Sequence, residues 1–460
     1  MAPLPALFAE SLPSLQLPPA IVQLPGLASR LHDFLLRPLE SAEQAAKANH
    51  AACPLPIVDR LVNQDQLNGN RDFWGNITAA EIARHRAGLV SFLAARAEAG
   101  ETLVGGPTTG EGRGIVITAG NKDTTRRAII LLKQLKHVGN FLPVEVFHYP
   151  GELTDQGERA EIANLGGKIR EVTGVTKSAG AWKNWQIKGL AMIQSSFAQL
   201  ISLDSDNLPL RTIAHLFDAD VVQDTGAAFW PDLSKDHADN AIWRVIGETC
   251  TLDEWTFESG QIVIDKRGNN GFNLAALWLA AAMMDDRDWW FTMCGGDKDT
   301  YRWAFRMLDI PYATSPRWMG ALGFLNPHEG GRFCGHTMLQ YDLVTPQGFT
   351  NPPPLFVHSN LLKHLQGGGV RGKMFTHVKR MAADTIDDPS LNYAHMHVYT
   401  GAGQGMCLDL DMHDTAEKAL SQEQFNSQVP LTLEVGEIEG EPFKGFEDAF
   451  FDAGGLVGGW

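Results

Sequence analysis

The sequence predicts an α/β protein with a doubly wound, mostly parallel, Rossmann-like sheet, a helical N-terminal region and an irregular C-terminal addition. Short apolar runs alternate with segments of helical periodicity between residues 114 and 203, which is the pattern of parallel strands joined by right-handed crossovers. Several runs end in small and polar residues, where such a sheet binds its ligands. Of the 460 residues 44% are hydrophobic and 20% charged, which indicates a globular protein with an ordinary core.

The elements of this sheet are predicted in chain order from apolar runs and helical spacing. In the first helix, Ile129, Leu132 and Leu135 lie on one face. The run 256–265 predicts a further strand, and the apolar segment 274–284 predicts a buried helix too short to cross a bilayer. The first strands are predicted at 114–120, 144–148, 169–175 and 200–203, and the helices between them at 124–138, 158–165 and 185–197.

Two regions flank this core. Residues 1–110 are predicted as a Pro-rich, helical accessory region, in which Thr78 caps a helix. The loop 105–110, which contains glycine and proline, marks the boundary with a core domain at 111–365. Residues 366–460 are predicted as an extension that packs on the core domain and ends in an acidic, glycine-rich tail, either wrapped on the surface or mobile.

Charge and missing motifs exclude several classes of function. The formal net charge of -16 argues against a nucleic-acid partner, which requires a basic face. A phosphate-bearing small molecule remains compatible, because one metal ion and a few local cations can hold a diphosphate. The chain contains no GxGxxG, GxxxxGKS or GxSxG motif, which disfavours a dinucleotide fingerprint, a phosphate loop and a serine hydrolase.

Five cysteines without a CxxC pair exclude a zinc ribbon, and their odd number leaves at least one free thiol. The others are either buried and reduced or form one or two disulfides in a secretory lumen. The apolar start of the chain is broken by prolines and lacks the basic and continuous apolar segments of a signal peptide, so no membrane anchor is expected.

Asp204 and Asp206 follow the predicted strand 200–203. Two carboxylates at positions i and i+2 off a strand end can reach one divalent cation, and hard oxygen ligands suit Mg²⁺ or Mn²⁺. Such an ion bridges a diphosphate and neutralises it as a leaving group. Asp-x-Asp is equally typical of a solvated turn. Lys188, on the preceding helix, either contacts a phosphate or faces solvent.

Three residues later in the chain are candidates for the same metal and diphosphate site. Glu258 enters the strand 256–265 ahead of Gly260, and it either faces the reacting group or forms a strand-end ion pair. Asp297 lies on a loop ahead of a predicted helix, where it can bind hydroxyl groups. His358 ends a predicted strand, and a neutral histidine there is either structural or a third ligand for a cation such as Mn²⁺.

Seven ordered motifs resemble the fungal α-mannosyltransferases of glycosyltransferase family 71, and more loosely the glycogenin-type retaining transferases. The resemblance covers residues 112–365. The motifs are LPVEV at 142–146, LDSDN at 203–207, GAAFWPD at 226–232, ESGQ at 258–261, GDKDT at 296–300, FCGHT at 333–337 and FVHSN at 356–360.

The resemblance implies a GT-A fold and retaining transfer of an α-mannosyl group from GDP-mannose to a carbohydrate or glycoconjugate acceptor, with Mn²⁺ or Mg²⁺. It implies a nucleotide-binding half at 111–210 and an acceptor half at 211–365. Asp204, Asp206 and His358 would hold the metal. Asp297 and Glu258 would be catalytic. The residues that would contact the nucleotide sugar are Thr118, Gly120, Lys188, Ser205, Gly260 and Lys298.

The family also implies the Golgi lumen and a type II membrane anchor. With no anchor predicted in this sequence, a full-length chain is expected in the cytoplasm. One alternative is a soluble glycosyltransferase with another donor, such as UDP-glucose. A second is a non-catalytic carbohydrate-binding relative, against which the intact Asp204, Asp206, Asp297 and His358 argue.

Overall fold

The computed structural model describes residues 16–54, 71–175, 177, 184–366, 368–412, 416 and 420–458. Its N-terminal part is helical, as predicted. Ser41 and Thr78 each close a capping box at a helix start, Thr78 with Glu81, which confirms Thr78 as an N-cap. The helices are α1 (Pro19–Val22), α2 (Pro25–Leu35), α3 (Ala42–Ala52), α4 (Arg71–Asn76) and α5 (Ala79–Glu98).

The first sheet, sheet A, is mostly parallel. Its order is β3-β2-β1-β4-β7-β6-β8, in which β7 is antiparallel to both neighbours and the other described pairs are parallel. This confirms the predicted doubly wound sheet. The strands are β1 (Arg113–Thr118), β2 (Val144–His148), β3 (Gly167–Glu171), β4 (Gln199–Leu203), β6 (Ala227–Pro231), β7 (Phe257–Asp265) and β8 (Ala313–Thr314).

Helices cover both faces of sheet A. In β1, Ile115 and Ile117 pack into one hydrophobic cluster and Val116 into the other, as expected for a strand buried on both faces. The segment 274–284 lies within a buried helix, as predicted. The helices are α6 (Lys122–His137), α7 (Gln156–Asn164), α8 (Ile187–Gln194), α9 (Asp220–Thr225), α10 (Ile242–Ile246), α11 (Phe272–Asp285), α12 (Arg287–Trp290) and α13 (Lys298–Met307).

The second sheet, sheet B, is antiparallel in its described pairs, with the order β13-β14-β10-β9-β12-β15 and with β11 joining β10 to β5. Its strands are β5 (Asn207–Pro209), β9 (Gly320–Asn326), β10 (Arg332–Tyr341), β11 (Pro354–His358), β12 (His377–Arg380), β13 (Ala394–Gly401), β14 (Gly405–Met412) and β15 (Leu431–Glu434).

The C-terminal addition is more regular than predicted. It contributes four strands to sheet B, and β12 pairs with β9 across the predicted boundary at 365. The prediction of an irregular addition is therefore wrong in this respect, because antiparallel strands from distant parts of the chain complete one sheet. Helices α14 (Gln422–Gln428) and α15 (Phe446–Asp452) follow, and Phe446 and Phe450 on α15 are buried against Phe375.

Two disulfides connect distant parts of the chain. Cys53–Cys250 ties the end of α3 to the segment after α10, and Cys334–Cys407 joins β10 to β14. Cys294 is a buried free thiol, as the odd number of cysteines requires. Of the two states that the sequence left open for the other cysteines, the structure has the oxidised one. Among the residues described, no helix is long and apolar enough to cross a membrane.

Candidate functional site

A pocket of about 520 Å³ opens at the carboxyl ends of β4, β1 and β2. The three strands are parallel neighbours, so their ends meet at one edge of sheet A, where ligands of such sheets bind. The structure therefore brings together six of the residues singled out from the sequence. They are Thr118, Gly120, Lys188, Asp204, Ser205 and Asp206.

Asp204 and Asp206 lie on the tight turn between β4 and β5, closed by a bond of 3.0 Å from Asn207 N to Asp204 O. β11 pairs with β5 so that His358 lies opposite Asn207. His358 Nε2 is 3.3 Å from Asp206 Oδ1 and 4.0 Å from Asp204 Oδ2. One ligand atom from each of these three side chains lies within 4.8 Å of the others. Two carboxylates and an imidazole fit Mn²⁺ or Mg²⁺.

Gly260 makes room for this arrangement. A Cβ atom there would lie 2.6 Å from His358 Nδ1 and 2.5 Å from Glu258 Oε1. Any larger residue would push the imidazole away from the two aspartates. Its predicted contact with the nucleotide sugar stays a prediction, and the structure supplies a steric reason for glycine at this position.

Lys188 is almost fully buried between two carboxylates. Its Nζ is 2.8 Å from Asp204 Oδ1 and 3.0 Å from Asp297 Oδ2, and it donates to Ser259 Oγ at 2.9 Å. Burial alone would lower the pKa of Lys188, but Asp204 and Asp297 raise it well above its usual value. The side chain is thus a fixed positive charge at the pocket, not a solvated residue on a helix face.

The pKa values of the neighbouring groups shift in opposite directions. Burial raises the pKa of Asp204, whereas Lys363 and His358 overcome burial and lower the pKa of Asp206 well below its usual value. Burial would lower the pKa of His358, but Glu258 and Asp206 raise it to about 10. Without a metal ion the imidazole therefore carries a second proton. Coordination through Nε2 requires the loss of that proton, so metal and proton compete for His358.

The two predicted catalytic residues occupy different positions. Glu258 is buried behind His358, with Oε1 2.7 Å from His358 Nδ1, and it accepts hydrogen bonds from Gly260 N and Gln261 Nε2. This placement orients the imidazole, as carboxylates commonly do for ligating histidines. Asp297 is the residue immediately before α13 and contacts Lys188. The catalytic roles of both residues stay predictions.

Lys298 is not brought to the pocket. Its Nζ lies between two buried carboxylates, 2.9 Å from Asp232 Oδ2 and 2.8 Å from Asp299 Oδ2. Successive side chains on a helix point about 100° apart, so Asp297 and Lys298 diverge at the start of α13. The predicted contact of Lys298 with the nucleotide sugar stays a prediction, and in the structure its ammonium group forms an internal ion pair with two carboxylates.

Two basic residues of the pocket were not predicted from the sequence. Arg127 on α6 lines the pocket beside its i,i+4 partner Asp123 and lowers the pKa of Asp206. Lys363 follows β11, with Nζ 3.0 Å from Asp206 Oδ2. A signal existed for Arg127, because it lies on the helix that starts directly after the end of β1. Nothing in the pattern marked Lys363, whose position depends on the pairing of β11 with β5.

A second polar cluster lies on sheet B. His397, Asp409 and Asp411 are close enough to hold a metal, beside a groove of about 840 Å³. Lys379 Nζ, however, lies 2.7 Å from Asp409 Oδ1 and 3.4 Å from Asp411 Oδ1. Arg332 Nε lies 3.2 Å from Asp409 Oδ2. Carboxylates of both clusters form ion pairs, but only Asp204 and Asp206 lie at the carboxyl ends of parallel strands, so the strand-end pocket is the stronger candidate.

The doubly wound sheet and the strand-end Asp-x-Asp pair define a protein of the GT-A type. Within that class, the Mannosyl_trans3 family of mannosyltransferases matches residues 112–254 and 250–342, which together make up half of the chain. The chain belongs to this mannosyltransferase family. The membership confirms the resemblance drawn from the seven motifs.

Among curated proteins, the chain is similar to fungal α-1,2-mannosyltransferases. It is 26% identical over 298 residues to MNN2 of Saccharomyces cerevisiae, covering 54% of this chain and 48% of that protein. It is 24% identical over 276 residues to MNN22 of Candida albicans, covering 49% of this chain and 46% of that protein. The chain thus spans about half the length of these relatives.

Among solved structures, likenesses are distant. Galactosyltransferase LgtC with donor and acceptor sugar analogues is 17% identical, with 45% of this chain and 73% of that chain covered at a TM-score of 0.31. The Mn/GDP form of core-mannan synthase A from Aspergillus fumigatus is 10% identical, with 44% and 72% covered at a TM-score of 0.28. Likenesses of this size transfer no ligand and no residue role to this chain.

Proposed function

We propose that this chain is a divalent-metal-dependent glycosyltransferase that moves an α-mannosyl group from GDP-mannose to a carbohydrate acceptor with retention of configuration. The observation that carries the proposal is the convergence of Asp204, Asp206, His358 and Lys188 at the strand-end pocket. Family membership and the α-1,2-mannosyltransferase relatives support mannose as the transferred sugar. An α-linked donor and an α-linked product together mean retention.

In this proposal, acidic residues and a histidine bind the metal ion, and basic residues supply positive charge beside the diphosphate. Asp204, Asp206 and His358 would hold Mn²⁺ or Mg²⁺, which when bound neutralises the departing diphosphate. Lys188 adds a buried positive charge beside Asp204, in a site of low dielectric where fixed charges stabilise a transition state strongly. Arg127 adds a further cation at the pocket wall.

Transfer on one face of the sugar is part of the proposal. Asp297, which contacts Lys188, would stabilise the oxocarbenium-like centre of the sugar. The acceptor hydroxyl would enter on the face from which the diphosphate leaves. A diphosphate oxygen accepts the proton of that hydroxyl as the glycosidic bond forms.

An oxidising, secretory compartment such as the Golgi lumen is part of the proposal. The two disulfides support it, because such bonds persist in oxidising compartments. That compartment also contains glycan acceptors. The net charge of -16 disfavours a nucleic-acid partner and is compatible with a small anionic donor that is held through a metal ion.

The test is release of nucleoside diphosphate from GDP-mannose and, in parallel, from UDP-glucose, with and without Mn²⁺ and with a mannose oligosaccharide as acceptor. We expect Mn²⁺-dependent release from GDP-mannose that is strongly reduced in Asp204→Ala and His358→Ala and retained in the exposed control Asp224→Ala. Turnover that survives both site substitutions would refute the metal assignment. Release from UDP-glucose alone would reassign the donor. Binding of Mn²⁺ and GDP without release would leave a carbohydrate-binding relative.

A further inference from the structure

The pocket extends from Asp204 and Asp206 to another carboxylate, Glu152, on the loop that follows β2. β4, β1 and β2 are parallel neighbours in that order. Strands in a sheet lie about 5 Å apart, so the ends of β4 and β2 lie about 10 Å apart. With a diphosphate at Asp204 and Asp206, the ribose would lie past the end of β1 and the base would reach Glu152.

Glu152 is held firmly at that end. Its Oε1 is 2.6 Å from Lys177 Nζ, and a Cβ atom on Gly120 would lie 2.1 Å from its Oε2. The carboxylate therefore lies directly against the Gly120 backbone, at the end of β1. The next residue, Leu153, has a φ of 50°, and its amide donates to Gly120 O at 3.0 Å.

A leucine with positive φ is strained and persists only where its surroundings enforce it. The buried Leu153 side chain and the bond to Gly120 do so here. The loop thus places one carboxylate at a fixed position on the pocket wall. The neighbouring Asp123 is engaged differently, because Arg127 Nε contacts both of its carboxylate oxygens.

We propose that Glu152 reads the base of the nucleotide and selects guanine over uracil. The inference rests on the proposed function and assigns its donor specificity to one side chain. A carboxylate only accepts hydrogen bonds, and each of its two oxygens can accept more than one, so Glu152 can keep its contact with Lys177 and accept two bonds side by side from a base. The Watson–Crick edge of guanine offers two adjacent donors, N1–H and the N2 amino group. The edge of uracil offers one donor between two carbonyl oxygens, which the carboxylate would repel.

The substitution Glu152→Gln tests this by changing one acceptor into a donor. A glutamine amide matches the N3–H and O4 of uracil, whereas toward guanine it keeps an acceptor for N1–H but sets a donor against the N2 amino group. The measurement is calorimetric binding of GDP and of UDP to the full chain with Mn²⁺. Glu161→Gln is the control, because Glu161 is also ion-paired, with Lys133, and does not line the pocket.

We expect Glu152→Gln to weaken GDP at least about 30-fold, as the loss of charge-assisted hydrogen bonds predicts, while UDP binds as tightly or more tightly. Gly120→Ala, whose Cβ would displace the carboxylate, should weaken GDP in the same way. An unchanged ratio of GDP to UDP affinity in both folded variants, judged by circular dichroism, would overturn the assignment. If the unsubstituted chain binds neither nucleotide, the proposed function itself fails.

Discussion

The two sheets contribute to the candidate site in different ways. Sheet A supplies residues at the ends of its parallel strands, such as Thr118, which ends β1, and Asp204, which follows β4, so their position follows from local sequence. Sheet B supplies His358 and Lys363 through the pairing of β11 with β5. The position of the two aspartates is therefore set by the end of one strand. The position of the histidine depends instead on antiparallel pairing between segments that are far apart in the sequence.

The largest effect is expected from the sheet A half. Asp206→Ala removes a ligand, and with it the carboxylate that contacts both His358 and Lys363. We expect kcat/KM to fall by about three orders of magnitude, because several kcal/mol of charge stabilisation is lost. His358→Ala keeps both carboxylates and should cost about 100-fold, partly restored by added Mn²⁺. Steady-state kinetics against Mn²⁺ measure both, and equal losses would contradict this division between the sheets.

Sheet B should also make the protein sensitive to acid. His336 on β10 is buried, which lowers its pKa to about 4. Its Nε2 donates to Met374 O at 2.8 Å, and its Nδ1 accepts from the Thr337 hydroxyl at 2.7 Å. An unfolded histidine has a pKa of about 6.5, so between these values the unfolded state binds more protons. This contribution is fully present above pH 6.5.

Lowering the pH from about 6.5 to about 4 should therefore reduce the free energy of unfolding by about 3 kcal/mol. Urea unfolding between pH 7.5 and 4 measures the change. His336→Gln should flatten the pH dependence, whereas the exposed control His137→Gln should keep it. A wild-type slope in His336→Gln would place the acid sensitivity elsewhere in the chain.

The predictability of the two halves follows from the same contrast. Apolar runs that alternate with helices predict parallel neighbouring strands, because a helix between two strands forms a right-handed crossover. The Asp204–Asp206 pair directly follows one of these predicted strands. The pairing of β5 with β11 brings together segments that are far apart in the sequence, and the periodicity of neither segment predicts that they pair. His358 was found through its motif, while Lys363, which has no motif, was missed.

At the start of a helix, adjacency in the sequence does not mean that two side chains point to the same site. Asp297 is predicted to be catalytic and Lys298 to contact the nucleotide sugar, yet the structure turns Lys298 toward Asp232 and Asp299 and Asp297 toward Lys188. Helical geometry separates adjacent side chains by about 100°, so the two residues point in different directions. The register of the helix start, which the sequence does not specify, decides those directions.

Glu258 links the two sheets, since it lies on β7 of sheet A and contacts His358 of sheet B. Glu258→Gln should raise the apparent dissociation constant of Mn²⁺ about 10- to 100-fold, because outer partners of metal ligands tune affinity by that amount. The kcat at saturating Mn²⁺ should stay near that of the unsubstituted chain. A kcat that collapses at every metal concentration would instead show that Glu258 acts on the sugar. Glu161→Gln controls for the loss of an ion-paired carboxylate.

The smallest effect should come from the two cations that the sequence left unmarked, Arg127 from the sheet A side and Lys363 from sheet B. Each acts on Asp206, Lys363 by contact and Arg127 by its charge. Lys363→Ala and Arg127→Ala should each raise the KM for GDP-mannose about 10-fold, the loss expected for one charge-assisted hydrogen bond. The exposed control Lys136→Ala should leave it unchanged.

The double variant decides whether the two cations act as a unit. If both contact one diphosphate, the combined increase in KM should differ from the product of the single increases, because residues that share a partner are coupled. If the increase in KM of the double variant equals the product of the two single increases, Arg127 and Lys363 act separately. Each half of the site would then contribute one independent cation to donor binding.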